Sequence, residues 1–191
     1  MTRFVALLDA CVLYPNYLRD ILIQLALTDL FRAKWTHLIH EEWMRNLLKN
    51  RPDLKMAQIE TVRDLMDKSI RDCLVQEFEG LIPSLALPDP NDRHILAAVI
   101  ASEAHVIVTF NLKDFPNSVL AKYSIEAKHP DDFIVDIIDL NPLKVMPALE
   151  TARKRFKNPP KTFEEYMEIL VKQELPKSVT IFRELHSEGS K

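Results

Sequence analysis

Residues 87–115 read LPDPNDRHILAAVIASEAHVIVTFNLKDF, and their pattern decides the fold. Asp89 and Asp92 stand ahead of an apolar run, Ile95, Leu96, Ala98 and Val99, whose spacing predicts one buried helical face. Carboxylates at a helix start are favoured by the dipole. Val106-Ile-Val-Thr109 follows as a short β-branched run, which predicts a strand buried on both faces, as in a parallel sheet. Beyond it lies the polar segment Asn111-Leu-Lys-Asp114, where open α/β sheets bind their ligands, outside the carboxyl end of a strand. A single helix–strand unit therefore carries two acidic clusters toward one edge.

Working outward, Phe4-Val-Ala-Leu-Leu8 is an apolar run of strand length that ends on Asp9, which puts a carboxylate at the strand's carboxyl tip. Pro15 and Asn16 introduce a helix over 17–28, with Leu18, Ile21, Leu22 and Leu25 on one stripe. Trp35 and Thr36 predict a short second strand or turn. His37 to Asn50 reads as a helix with Trp43, Leu47 and Leu48 inward and Glu41 and Glu42 near its start. Met56, Ile59, Val62, Met66, Ile70 and Cys73 recur at helical intervals, so a second helix should fold back as a hairpin against the sheet. A further short strand is expected within 81–87. Downstream, 116–123 reads as a short helix, 124–127 as a last strand and 130–138 as a helix opened by Pro130, Asp131 and Asp132. This alternation predicts an α/β layer fold with a parallel sheet. Past Leu140 the patterns are helical only, over 142–156, 162–173 and 176–186, and Thr162-Phe-Glu-Glu165 has capping-box form. The expected organisation is a domain over 1–140 and a helical extension over 141–191 packed on it, with Ser187 to Lys191 frayed.

Composition narrows the chemistry. A chain of 191 residues with 47% hydrophobic and 28% charged content is long enough for one good core of ordinary soluble type. The net charge of -3 neither demands nor excludes nucleic acid, because a local basic patch can sit beside an acidic site. Cys11 and Cys73 lack metal-ligand spacing, which predicts two reduced thiols in a cytoplasmic protein, and no signal peptide or membrane span is expected. Gly80 and Gly189 are the only glycines, which excludes the glycine-rich loops that cradle nucleotide phosphates. His37, His40, His94, His105, His129 and His186 show no zinc-ligand spacing. Trp35 and Trp43 are expected to pack the hairpin, and Met44, Met56 and Met66 to fill core.

The acids carry the functional argument. Asp9, Glu41 or Glu42, Asp92 with Asp89, and Asp114 are all placed by the expected fold near one edge. Like charges packed together are unfavourable unless a cation offsets them, and hard oxygen ligands suit Mg²⁺ or Mn²⁺. Such a site favours phosphodiester hydrolysis. Each acid also has a structural role open to it: Asp9 as strand terminator, Glu42 as a dipole partner, Asp89 and Asp92 as turn and N-cap residues, Asp114 as the cap of the next helix. Only the combination favours chemistry. Arg93, Lys113, Arg45 and Lys49 are candidates for phosphate contacts, while Arg153-Lys-Arg155 with Lys157 and Lys161 is the densest basic run, a pattern more typical of a solvated helix face.

Asp9 after an apolar strand, Glu42 within HEEWMRNL, PDPNDRHILAA and above all VTFNLKDF resemble the PIN-domain ribonuclease family, which includes VapC-type toxins of toxin–antitoxin pairs. The resemblance covers about residues 3–135. It implies a three-layer fold with a mainly parallel sheet flanked by helices, and four acidic positions, here Asp9, Glu42, Asp92 and Asp114, that gather Mg²⁺ or Mn²⁺ and cleave RNA. Asp9, Asp92 and Asp114 would be the metal ligands, with Thr109 and Asn111 at the polar positions flanking the fourth acid. The third acid stands one place earlier relative to Ala97-Ala98 than in many members, so Asp89 competes with Asp92, and Glu41 competes with Glu42. The resemblance further implies an RNA substrate and leaves room for an antitoxin partner and for pairing of two copies. It supplies no role for the helices after Leu140. Two other readings stand beside it. One is a module of this fold that binds without catalysis, and the other is a receiver-like domain that accepts phosphate on an aspartate.

Overall fold

The computed structural model describes residues 4–189, leaving Met1, Thr2, Arg3, Ser190 and Lys191 outside the described residues. Strand and helix alternate as the apolar pattern requires: β1 (Val5–Leu8), α1 (Ala10–Leu13), α2 (Asn16–Ala26), β2 (Arg32–Lys34), α3 (His37–Asn50), α4 (Met56–Ser69), α5 (Arg93–Ala101), β3 (Val106–Val108), α6 (Asn117–Leu120), β4 (Glu126–Lys128) and α7 (Pro130–Leu140). Three more helices follow, α8 (Pro142–Arg155), α9 (Phe163–Lys172) and α10 (Pro176–Gly189).

The strands form one parallel sheet in the order β2-β1-β3-β4, with Ala6 paired to both Ala33 and Val106, and Val106 to Glu126. Ala6, Leu7 and Leu8 are all buried, as are Val106, Ile107 and Val108. Successive strand side chains point to opposite faces, so both faces of the sheet are covered by helices. From β1 the chain passes to β2 on one side and then crosses back to β3 on the other. The connections reverse between β1 and β3, and the carboxyl edge of those two strands is where open α/β sheets bind ligands. Asp9 and Thr109 stand at that edge.

Several local expectations change. Residues 81–87 form no strand. A 3-10 turn covers Glu79–Ser84 and contains Pro83, which has no N–H to give a ladder. The second strand lies at Arg32–Lys34, ahead of Trp35, which extends the edge through a parallel bridge to Leu74. Trp35 N donates to Cys73 O at 3.0 Å and Val75 N to Trp35 O at 2.9 Å. The last strand begins at Glu126 because Ser124 is left-handed at φ 57° and still belongs to the turn. Asp29 and Glu103 are also left-handed, at φ 63° and 51°, in the turns that lead into β2 and β3. Helix α1 was not expected, and Met56 is 48% exposed, while Met44 and Met66 are buried as core residues.

The hairpin of α3 and α4 is fastened by a polar network. Trp43 Nε1 donates to His40 Nδ1 at 2.9 Å, so the His40 proton sits on Nε2, which lies 2.9 Å from Asp67 Oδ1. Trp35 Nε1 donates to the same Asp67 oxygen at 2.7 Å. Burial holds His40 below the ordinary histidine value, consistent with a neutral ring.

The extension packs on the α/β unit through α8 and α10. Helix α8 packs on α2, where Tyr17 stacks on Phe156 at 4.1 Å and Arg155 Nε pairs with Asp20 Oδ1 at 2.7 Å. Helix α10 packs on α7, where the buried Asp131 carboxylate accepts from Lys177 N at 2.9 Å, Ser178 N at 2.8 Å and Ser178 Oγ at 2.6 Å. Thr162 and Glu165 form the capping box that opens α9. Helix α10 continues through Ser187 to Gly189, further than the frayed end expected. Cys11 and Cys73 are free thiols, and among the described residues no helix is long and apolar enough to cross a membrane.

Asp131→Ala leaves the opening N–H groups of α10 without their carboxylate. It should lower the denaturant-unfolding free energy by about 2–4 kcal/mol, with a smaller loss for Asp131→Asn, which keeps an acceptor.

Candidate active site

Asp9 is fixed first, by local geometry. It follows β1 directly, its N–H pairs with Val108 O at 3.1 Å, and its side chain caps α1 by accepting from Ala10 N at 2.6 Å. The other carboxylate oxygen accepts from Thr109 Oγ1 at 2.7 Å. Thr109 is fully buried and its hydroxyl in turn accepts from Asn111 N at 3.0 Å. Asp9 itself is only 6% exposed, so a carboxylate is held at the switch point with both oxygens oriented.

The other acids reach it from three more segments. Glu42 lies in the second turn of α3, clear of the N-terminal dipole role, because Thr36 caps that helix by accepting from Ile39 N. Asp92 precedes α5 and makes no capping bond, whereas Asp89 accepts from Asn91 N at 2.8 Å and serves the turn ahead of it. Asp114 ends a 3-10 turn, Leu112–Asp114, after β3, and Pro116 stands at the start of α6 instead. The Asp92 carboxyl is pushed up to about 7, first by burial and then by the charges of Asp9, Asp89, Asp114 and Glu42. Glu42 is also raised, by burial and by Asp9 and Asp89, with Arg45 opposing. Asp9, Asp89, Asp114 and Glu42 therefore all act on the Asp92 carboxyl through their charge.

Glu41 is exposed and lines the groove between α3 and α4 with Met44, Leu48 and Met56. Arg45 lies within the field of Glu42, Arg93 Nε folds back on Pro90 O at 2.9 Å, and Lys113 and Lys49 are exposed. The basic run of α8 is largely spent internally. Arg153 and Lys154 both pair with Glu150, at 2.8 and 3.8 Å, and Arg155 with Asp20. That pairing removes the run's strongest claim to phosphate.

Hard carboxylate oxygens that raise one another's proton affinity are a donor set whose chemistry fits Mg²⁺ or Mn²⁺. Among the described residues, however, no three His, Cys, Asp or Glu side chains already stand as a ligand set, so the acids would have to close further around an ion.

Comparison with known proteins bears on the family and the fold. Residues 5–113, more than half of the chain, match the PIN domain family. The chain belongs to the PIN domain family. The PIN match contains Asp9, Glu42, Asp89 and Asp92 and stops one residue before Asp114. Residues 130–184, from α7 into α10, match the VapC50 C-terminal domain. A Mycobacterium tuberculosis protein named "Putative ribonuclease VapC50" is 38% identical over 99 residues, which span 52% of this chain and 58% of that protein. No solved structure matches.

Two residues beside the candidate site, Cys11 and His94, are discounted as metal ligands in the sequence reading and given no other role there. Cys11 Sγ lies 3.2 Å from Asp9 Oδ2 and 3.4 Å from Thr109 Oγ1, and accepts from Phe110 N. Burial and the Asp9 charge push its thiol far up, so it is an inert neighbour and no nucleophile. His94 Nε2 lies 3.9 Å from Glu42 Oε2. The only signal for either was position, two residues after Asp9 and two after Asp92.

Asp92 gives the site a measurable pH signature. Its folded-state value of about 7 exceeds the reference 3.8, so the folded chain holds the extra proton between those limits. The stabilising contribution is complete below pH 3.8 and is lost as pH rises through about 7. With EDTA present, Tm should fall over this window more steeply in wild type than in Asp92→Asn, and Mg²⁺ at neutral pH should raise the wild-type Tm more. Equal pH slopes would rule out this charge coupling.

Proposed function

We propose that this chain is a Mg²⁺- or Mn²⁺-dependent endoribonuclease that hydrolyses RNA phosphodiester bonds, acting as the toxin of a toxin–antitoxin pair. What carries it is the coupling of the Asp92 carboxyl to the charges of Asp9, Glu42 and Asp114, which come from three other segments, with Asp9 fixed at the carboxyl end of β1 in a parallel sheet. PIN family membership and the VapC50 likeness support the same reading.

In this reading Asp9, Asp92 and Asp114 hold the cation, which when bound supplies positive charge at the scissile phosphate. Glu42 orients the attacking water and takes its proton, while the P–O bond breaks to leave a phosphate monoester and a free hydroxyl. Thr109 fixes Asp9, and Asn111 and Asp89 support the turns on either side. Arg93, Lys113, Arg45 and Lys49 contact backbone phosphates. Residues 1–140 form the catalytic unit and 141–191 an extension. The antitoxin is a protein partner, and a pair of chains can build one RNA channel.

The test is cleavage of RNA by the purified protein with Mg²⁺ or Mn²⁺. Wild type should cut and lose activity in EDTA, while Asp9→Asn, Asp92→Asn and Asp114→Asn should each reduce the rate by more than about a hundredfold. Metal-dependent cutting that survives all three substitutions would sink the proposal. Cation binding without cutting would favour a binding module, and a stable acyl phosphate a receiver-like domain.

A further inference from the structure

Glu42 is half-exposed on the flank of α3, and a flexible glutamate makes a poor base unless one of its oxygens is held. Helix α5 carries His94 as its second residue, with a side chain only 14% exposed. Its Nε2 lies 3.9 Å from Glu42 Oε2. The other ring nitrogen, Nδ1, is buried and has no hydrogen-bond partner among the described residues.

That asymmetry fixes the ring's proton. A sealed N–H without an acceptor is costlier than a sealed lone pair without a donor, so Nδ1 stays bare and the hydrogen sits on Nε2, facing Glu42. The same assignment leaves Nε2 with no lone pair for a cation. We infer that His94 is a positioning residue, which donates from Nε2 to one oxygen of Glu42 and leaves the other free for the attacking water. The inference rests on the nuclease reading of the site. At 3.9 Å the pair is too long for a hydrogen bond, and catalytic hydrogen bonds commonly tighten only when substrate is in place. No other donor to the Glu42 carboxylate is found among the described residues except the more distant Arg45 charge.

Three variants decide it in the full-length protein. His94→Leu should lower kcat by about ten- to hundredfold while KM stays within about twofold. Tm and Mn²⁺ affinity, read by electron paramagnetic resonance, should stay at wild-type values. His94→Gln, which keeps an N–H donor, should recover most of the lost rate. Adding His94→Leu to Glu42→Gln should cost little beyond Glu42→Gln alone, because both remove the same function. Wild-type kcat in His94→Leu overturns the inference, and so does a loss of Mn²⁺ binding, which would make the ring a ligand. If wild type cuts no RNA, the nuclease reading falls separately. The pairing is then decided by long-range ¹⁵N NMR of the imidazole at pH 8: a proton on Nε2 that responds to Glu42→Gln supports it, and a proton on Nδ1 or an indifferent ring refutes it.

Discussion

Thr109 Oγ1 and Asp9 Oδ2 join the carboxyl ends of two neighbouring strands through a 2.7 Å hydrogen bond between residues a hundred positions apart. Parallel pairing of β1 with β3 puts them side by side, and burial makes the bond strong. Because Ala10 N holds the remaining oxygen, the Asp9 charge cannot turn away when other acids approach. Everything else at the edge is arranged against that fixed charge. Burial first, and then that charge, holds the Asp92 proton up to about 7, and the same two causes raise Glu42. An immobile anion at a switch point makes that edge a site for positive charge.

The C-terminal helices act on this edge only indirectly. They brace α2 and α7, the helices that follow β1 and β4, through aromatic stacking and the Asp131 clasp. The match to a VapC50 C-terminal domain begins at α7, so the helix that receives the clasp and the helix that makes it fall within one matched stretch. Within the basic run of α8, Arg153 and Lys154 are engaged with Glu150 and Arg155 with Asp20, so its densest part looks more promising in one dimension than in three.

The sequence made the sheet and its acids readable where periodicity and apolarity were strong. β1, β3, α3 and the helices after Leu140 come within a few residues of their expected bounds, because the strands are short unbroken apolar runs and each of the helices has a cap or proline at its start. What was not legible depended on tertiary partners. The bridge from Trp35 to Leu74 needs α4 to bring Cys73 and Leu74 back beside β2, and nothing local in 73–75 announces it. Ser124 delays β4 through a left-handed turn that its residue type does not signal. At the site, residue types identified the acids, but which of two adjacent glutamates faces Asp9 depends on helix rotation. Glu42 feels the Asp9 charge, whereas Glu41 lines the α3–α4 groove. His94 was discounted because zinc spacing was the pattern sought, and a histidine that serves a carboxylate needs no such spacing.

The left-handed residues Asp29, Glu103 and Ser124 all lie where the chain enters β2, β3 and β4, at the amino edge of the sheet. A non-glycine residue in that conformation carries strain of about 1–3 kcal/mol. The acids occupy the opposite edge. Robustness and chemistry are thus lodged at opposite poles of the same strands, and the molecule can be hardened from one pole without touching the other.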